Sequence, residues 1–510
     1  MSIPYQRHTR FGEYDQYFDH PLVAQNSFIS AAPVIVDLPR VEDVKSLLPA
    51  PEWDGHETAI QTYWKVWELA FKHLANPTPE NQFAAPYIDT AFWARALFMW
   101  DSSFIMMFTR YGRRAFDFQS TLDTFYAKQH PDGFISRQIK YSDGLDSFHR
   151  FDPVSTGPNL LAWAEWEHYQ AARDRDRLAR VFPVLVAYHH WLRRYRTWQD
   201  GSYWTTGWGC GMDNQPRTPY TTDAGLWMEH AHQVWLDATL QQILSARILA
   251  RMAVELGTSI PDMTEEADRL TTYVNLKMWD NQSAFYYDGD RDGKRLGVKS
   301  IGAYWALLAG VVPPDRLGRF IAHLSDPQTF NRPHRIPALA ADHPAFDPKG
   351  GYWSGGVWDP TNYMVLRGLN HVGQPNLAHE IALNHVANVA AVFAKTGTVW
   401  ENYAADDAPN AAIPAKDDFV GWGGVGPVAT LLEDVIGVQA EADQVVWRIR
   451  LTEAHGVARY PFGREGWLDL HCERRESADE TPQIRAHSTI PVTLRLVWDG
   501  GEDLIYLKGT

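Results

Sequence analysis

A chain of 510 residues, 45% of them hydrophobic, exceeds one ordinary compact domain and leaves a choice between several domains and a single large barrel. Its net charge of -15, from 62 acids against 47 Lys and Arg, with no basic run along the sequence, excludes the electrostatic attraction that drives nucleic-acid binding. Cys210 and Cys472 stand too far apart in sequence to read as a disulfide framework or a metal site, and no stretch of 18 apolar residues or signal-peptide pattern is present, so neither membrane nor metal is expected. Two cysteines fit a reducing cytoplasm; a periplasmic or secreted protein whose leader has been removed fits as well. Trp is abundant, at 22 residues, and much of it stands beside acids or amides in Gly-containing loops such as MWDSSF, YWSGGVWDPTNY and VWENY, which are not core sequences.

Residues 1–50, with the stretch AAPVIVDLP, read as an extended N-terminal arm. HETAIQTYWKVWELAFKHLANP then sets Ile60, Tyr63, Trp64, Trp67 and Phe71 three and four residues apart and stops at Asn76-Pro77, the pattern of an amphipathic helix with a defined end. The same period recurs near 103–115, 117–128, 158–172, 178–196, 222–256, 262–280, 300–310, 314–325, 361–370, 376–395 and 425–436, so about twelve helices fill residues 51–437. No heptad run or short internal repeat is present, which removes a coiled coil and disfavours a solenoid. Consecutive helical hairpins can close as a toroid or stack openly. Past residue 437 the period changes to that of strands, at 444–451, 467–473, 483–489, 492–499 and 503–509, and predicts a β-rich segment over 438–510.

Cleaving a glycosidic bond takes two carboxyl groups, one protonated to release the leaving oxygen and one to activate water or attack the anomeric carbon. Asp213 in GCGMDNQPR and Glu401 in GTVWENYAADDAP are the two acids in similar surroundings, with Trp208 and Trp400 as chain neighbours that could exclude water from them. Local sequence also allows Asp213 a turn and Glu401 a helix start or a surface position. Trp100 and Asp101 in FMWDSSF suit either an N-cap or a sugar contact, in which a carboxylate accepts from two hydroxyls while an indole covers the apolar ring face. KQHPDGFISRQI adds Gln129, Asp132 and Arg137; GYWSGGVWDPTNYMVLRGL adds Trp353, Trp358 and Asn362; FVGWGGVG adds Trp422.

The order of these blocks over most of residues 90–435 resembles glycoside hydrolase family 63 and its trehalase-like relatives, inverting enzymes built on an (α/α)6 barrel. A Trp-Asp-Ser-x-Phe block is similar to Trp100–Phe104, and a Gln-x-x-x-Gly-x-Ile block to Gln129, Gly133 and Ile135. A Gly-Met-Asp-Asn-x-Pro-Arg segment is similar to Gly211–Arg217. Tyr352, Trp353, Gly355, Trp358, Asn362 and Tyr363 resemble a further block, and Trp400, Glu401 and Tyr403 a Trp-Glu-x-Tyr segment. The resemblance implies a mainly α chain, an (α/α)6 barrel with a small C-terminal β element, Asp213 as general acid and Glu401 as general base. It further implies substrate contacts from Trp100, Asp101, Phe104, Gln129, Trp208, Asn214, Arg217, Trp353, Gly355, Trp358, Asn362, Trp400, Tyr403 and Trp422. The implied activity is inverting, exo-acting hydrolysis of a small α-glucoside or α-mannoside, an oligosaccharide or a glycosylglycerate, without cofactor or metal. Family chains usually read Glu-Ser-Gly ahead of Met-Asp-Asn, whereas this one reads Gly209-Cys210-Gly211 and lacks that acid. Neither the long insert of the bacterial α-glucosidases nor the large N-terminal β domain of the processing glucosidases is evident.

Two other chemistries fit the same barrel. Phosphorolysis needs a basic phosphate site, and epimerisation needs paired histidines, for which His189 with His190 or His230 with His232 are the candidates, although such pairs are commonly packed or surface residues. A non-catalytic sugar-binding barrel is the third alternative, and the two acids weigh against it because binding alone needs no protonated carboxyl. No HExxH, GxSxG or Walker motif supports another class.

Overall fold

A computed structural model describes residues 18–90, 95–218, 228–290, 292–441 and 443–509. Among these residues, twelve helices alternate between an outer and an inner ring. The first hairpin pairs outer α1 (Glu57–Lys72) with inner α2 (Met99–Thr109), and α3 (Thr121–Ala127) with α4 (Leu161–Ala172) and α5 (Arg175–Tyr195) with α6 (Leu236–Leu256) repeat the scheme. Then come α7 (Pro261–Tyr273) with the short α8 (Trp305–Leu308), α9 (Pro314–Ile321) with α10 (Asp359–His371), and α11 (Pro375–Thr396) with the π-wound α12 (Val425–Val435). Each inner helix packs on the next, and α12 packs back on α2, so the ring closes as an (α/α)6 barrel and the open stack is excluded.

Position in the rings explains how clearly each helix is written in the sequence. Outer α1 buries Tyr63, Trp67 and Phe71 along one stripe and leaves Lys65 and Glu68 paired at 3.4 Å outside, the pattern of a half-wetted helix. Inner α2 and α12 are buried along their whole lengths, so no polar face marks their boundaries. Helix α2 accordingly begins at Met99, four residues before the predicted start. The helix expected over 222–256 begins at Leu236; residues 228–235 are turn and bridge, and 219–227 lie outside the described residues.

Eight strands form two four-stranded sheets: β1 (Ala50–Trp53), β2 (Val438–Glu441), β3 (Gln444–Arg448), β4 (His455–Phe462), β5 (Gly466–Cys472), β6 (Ile484–Ser488), β7 (Val492–Trp498) and β8 (Gly501–Leu507). One sheet runs β1-β4-β5-β6 and is antiparallel throughout, with Ala50 opposite Ala458 and Trp53 opposite His455. The other runs β8-β7-β3-β2, and its β7–β3 pairing is parallel. Chain ahead of the first barrel helix therefore supplies an edge strand to the C-terminal sheets. β4 escapes a sequence reading because Gly456, Pro461 and a register shift between Val457 and Tyr460 interrupt its alternation. Trp447 Nε1 donates to the Ile436 carbonyl at 2.9 Å, and the Tyr460 ring lies 5.7 Å from Tyr111, which fixes the β layer at the end of the barrel where the inner helices finish. The opposite end is left to the loops.

Candidate active site

The aromatic-acid loops converge on the N-terminal ends of the inner helices. Trp100 and Asp101 lie in the first turn of α2, the Asp213 loop leads toward α6, residues 351–358 lead into α10, and 401–422 lead into α12. Ahead of Asp213, Gly207–Cys210 make one helical turn capped by Thr206, whose hydroxyl accepts from Gly209 N at 2.8 Å. Gly211 then reverses the chain at φ 79°, and a Cβ there would stand 3.0 Å from the Trp100 indole. Handedness and closeness both require glycine.

Flanking side chains lock this turn. Asn214 donates to the Gly351 carbonyl at 2.9 Å and accepts from Trp353 N at 2.8 Å, while Gln215 donates to the Ala338 carbonyl at 2.7 Å. Arg217 donates to Asp237, in the first turn of α6, at 2.5 and 3.1 Å and to Asp288 at 2.7 and 2.8 Å. The Asp213 carboxyl makes no side-chain hydrogen bond among the described residues. Burial pushes its pKa up to about 7, with Arg137 and Lys416 pulling it down and Glu401 adding to the rise. The Arg137 guanidinium sits over Phe148 at 4.9 Å and Trp208 at 5.8 Å, held by its Nε bond to the Val154 carbonyl at 2.6 Å.

Glu401 lies on a hairpin whose bridges pair Trp400 with Asp417 and Tyr403 with Ala411. Its N–H donates to the Lys416 carbonyl at 2.8 Å, its own carbonyl accepts from Trp422 Nε1 at 2.7 Å, and its carboxylate accepts from Lys416 Nζ at 2.8 Å. Burial raises the Glu401 pKa and the ammonium of Lys416 opposes the rise. Asp101 is also buried and is pushed up to about 7, opposed by the hydroxyl of Thr90 at 3.1 Å and reinforced by Asp89 and Glu401. The Tyr352 hydroxyl is held well above its ordinary value by burial and then by Asp213, Glu401 and Asp101 together. Its backbone takes φ 62°, in the left-handed region. Behind it Trp353 and Trp358 stack at 3.8 Å and 2°, and Trp422 meets Trp358 at 5.6 Å.

Residues 95–412 match the sequence profile of the mannosylglycerate hydrolase MGH1-like glycoside hydrolase domain. The chain is a family 63 glycoside hydrolase. Mannosylglycerate hydrolase of Thermus thermophilus is 24% identical over 361 residues, covering 57% of this chain and 85% of that protein. A probable mannosyl-oligosaccharide glucosidase of Schizosaccharomyces pombe is 27% identical over 285 residues, 48% of this chain and 33% of its own length. The crystal structure of a family 63 mannosylglycerate hydrolase from Thermus thermophilus in complex with glucose superimposes with a TM-score of 0.59 at 20% identity, covering 72% of this chain and 99% of that one.

Several residues that the family resemblance assigns to substrate contact have their polar atoms taken up inside this hydrolase. The Gln129 amide donates to the carbonyls of Gly133 and Val184 and accepts from Asn26. Asn362 donates to Ile336 and Trp358 carbonyls and accepts from Ile336 N. Arg217 is spent on its two aspartates, and Tyr403 accepts from Trp400 N at 3.2 Å. Phe104 is core, edge-on to Trp100 at 4.9 Å. A Cβ on Gly355 would stand 2.3 Å from the Asp347 carbonyl, so that residue serves a close backbone approach. Trp400 turns away from the Glu401 carboxylate: its Nε1 donates to Thr396 at 3.1 Å and its ring packs on the small apolar cluster that includes Val389 and Val392, because successive side chains on a strand point to opposite faces. Asp101 is no N-cap, since α2 starts two residues earlier and Phe98 occupies the cap. Of the paired histidines, His189 is tied to Ser245 at 3.0 Å and Glu266 at 2.9 Å, and His190 to Asp262 at 3.0 Å. Lys416 was passed over by motif reading, and Tyr352 was matched as part of a block without being given a role at the candidate site. A lysine 15 residues beyond Glu401 carries no local signal, and what marks Tyr352 beyond its place in that block is its backbone geometry.

Among the described residues, no helix is long and apolar enough to cross a membrane.

Proposed function

We propose that this glycoside hydrolase is an inverting, exo-acting α-glycosidase for a small α-mannoside or α-glucoside, with Asp213 as general acid and Glu401 as general base. The observation that carries the proposal is the difference between two acids at one end of the barrel. Asp213 has a pKa near 7 and no hydrogen-bonding side chain among the described residues, so it keeps a proton to give; Glu401 is ion-paired to Lys416, so it stays ionised. Asp213 protonates the glycosidic oxygen as the bond to the anomeric carbon breaks. Glu401 takes a proton from a water that attacks the opposite face, and the anomeric configuration inverts. This requires a carboxyl separation of roughly 6.5 to 9.5 Å in the substrate complex.

Asp101 and Trp100 are suited to the non-reducing sugar, as the Trp100 indole N–H is buried without a partner among the described residues. The related Thermus enzyme is named a mannosylglycerate hydrolase and was crystallised with Tris and D-glycerate, and Arg137 here could meet an anionic aglycone of that kind beside Asp213. Mannosylglycerate and glucosylglycerate therefore head the substrate panel. Asp213→Asn and Glu401→Gln should each lower kcat by about 10²- to 10⁴-fold with an unchanged melting profile. NMR during early hydrolysis should show the β-anomer of the sugar first. Full activity in either variant, or the α-anomer as first product, defeats the assignment.

A further inference from the structure

At the far end of the barrel from the acids, the C-terminal parts of α4, α6, α8 and α10 and the strands β2 and β3 enclose a cavity of 230 Å³. Its wall carries four arginines, Arg247, Arg251, Arg367 and Arg448, against two acids, Glu167 and Glu441. Both acids are already committed: Arg367 pairs with Glu167 at 3.1 Å, and Arg448 with Glu441 at 2.6 Å. Arg247 is bound to the Ala309 and Gly310 carbonyls and to Thr271, an arrangement that answers the partial negative charge at the end of α8. Arg251, one turn further along α6, has neither ion pair nor hydrogen bond among the described residues. The same holds for the His371 imidazole, which lines the cavity from α10, and for the Gln170 amide on α4. Like charges four residues apart on one helix repel, and in a chain of net charge -15 the Arg247–Arg251 pair, without an ion pair among the described residues, is a local exception.

We propose that this cavity is a second ligand site, separate from the catalytic one, for the phosphate monoester of a monosaccharide. Arg251 and Arg247 face the phosphate, Gln170 offers its amide to a sugar hydroxyl, and the half-buried indole of Trp166 supplies an apolar wall for the ring. Burial and then the charges of Arg251, Arg367 and Arg247 hold His371 below its ordinary pKa, so an incoming anion relieves that strain and favours the imidazolium. The site joins barrel to β layer, because β2 and β3 form one of its walls.

Isothermal titration of the full chain with glucose 6-phosphate, inorganic phosphate and glucose tests the assignment. One saturable site for glucose 6-phosphate is expected, with weaker binding of inorganic phosphate that competes for it and no binding of glucose there. Arg251→Ala removes an exposed helix residue and leaves the fold intact; it should weaken glucose 6-phosphate by about tenfold or more, and Arg251→Lys should restore part of the loss. Asp213→Asn should leave this binding unchanged, which separates the cavity from the catalytic site whether or not the proposed hydrolysis is correct. No saturable binding, or binding indifferent to Arg251→Ala, overturns the proposal. Equal affinity for inorganic phosphate and glucose 6-phosphate overturns its sugar half.

Discussion

Lys416 acts on both Glu401 and Asp213, and Arg137 on Asp213 as well, yet only Glu401 accepts a hydrogen bond from Lys416. That contact favours the ionised form of Glu401 in the proposed mechanism. In the proposed mechanism the working form has Asp213 protonated and Glu401 ionised, so kcat/KM should fall above pH about 7 as Asp213 loses its proton, and fall on the acid side as Glu401, held above its ordinary value, gains one. Lys416→Met removes both the bond and the charge from Glu401, and a charge only from Asp213. The acid limb should then move up further than the alkaline limb, and the bell should narrow. A pH profile for Lys416→Met that superimposes on the parent would remove Lys416 from this role. As a candidate, Asp213 could be read from the sequence because the residues that hold its turn are its chain neighbours, from Thr206 to Arg217. Lys416 was not, since hairpin pairing brings it to Glu401 and leaves no spacing to recognise.

The inner helices matter less for their own side chains than for where they begin. Six N-termini gather at one end of the barrel, and the loops that reach them must be tied to one another. Asn214 is the clearest tie: its amide bonds twice to the 351–353 backbone, which joins the Asp213 turn to the stacked Trp353 and Trp358. Asn214→Ala leaves those two backbone groups without their partner at a cost of about 1–3 kcal/mol. Because the loosened loop carries Tyr352 beside all three acids, kcat should fall by about tenfold or more while KM changes less. Equal stability and unchanged kcat would show the tie to be incidental. Arg217→Met acts on the same turn from the other side. It strands Asp237 and Asp288 in the interior, and should cost about 3–5 kcal/mol in urea unfolding. Helix count and order were readable at this scale because outer helices keep a polar face. The roles of Gln129, Asn362 and Arg217 were not, because a buried amide or guanidinium looks the same in sequence whether it meets a sugar or a backbone carbonyl.

Across the whole molecule, the barrel is closed at its base by a ring of alternating charge. Arg110 bonds Glu433 at 2.6 Å, Arg367 reaches Glu433 at 3.3 Å and Glu167 at 3.1 Å, and Arg110 returns to Glu167 at 3.6 Å. These side chains come from α4, α10, α12 and the turn after α2, so the ring crosses the barrel and joins elements far apart in sequence. Asp434 lies beside it with no cation in contact among the described residues; it accepts from Asn370 at 2.7 Å, and its other carboxyl oxygen is buried and likewise has no partner there. Burial, and then Glu433, push its pKa from 3.8 to about 7. A folded-state value above the unfolded one means that the native protein holds the extra proton between pH 3.8 and about 7, so stability falls as pH rises through that window and stays reduced above it. Asp434→Asn keeps the acceptor for Asn370 and removes the charge. The variant should therefore be more stable than the parent at pH 8, by about 1–4 kcal/mol, and close to it at pH about 4.5. Asp101 and Asp213 titrate in the same window but do so in both proteins, so the difference between urea midpoints isolates Asp434. A difference that is constant from pH about 4.5 to 8 would mean that Asp434 is ionised in the native barrel at every pH measured, and that the charged ring at the base is large enough to hold a third carboxylate.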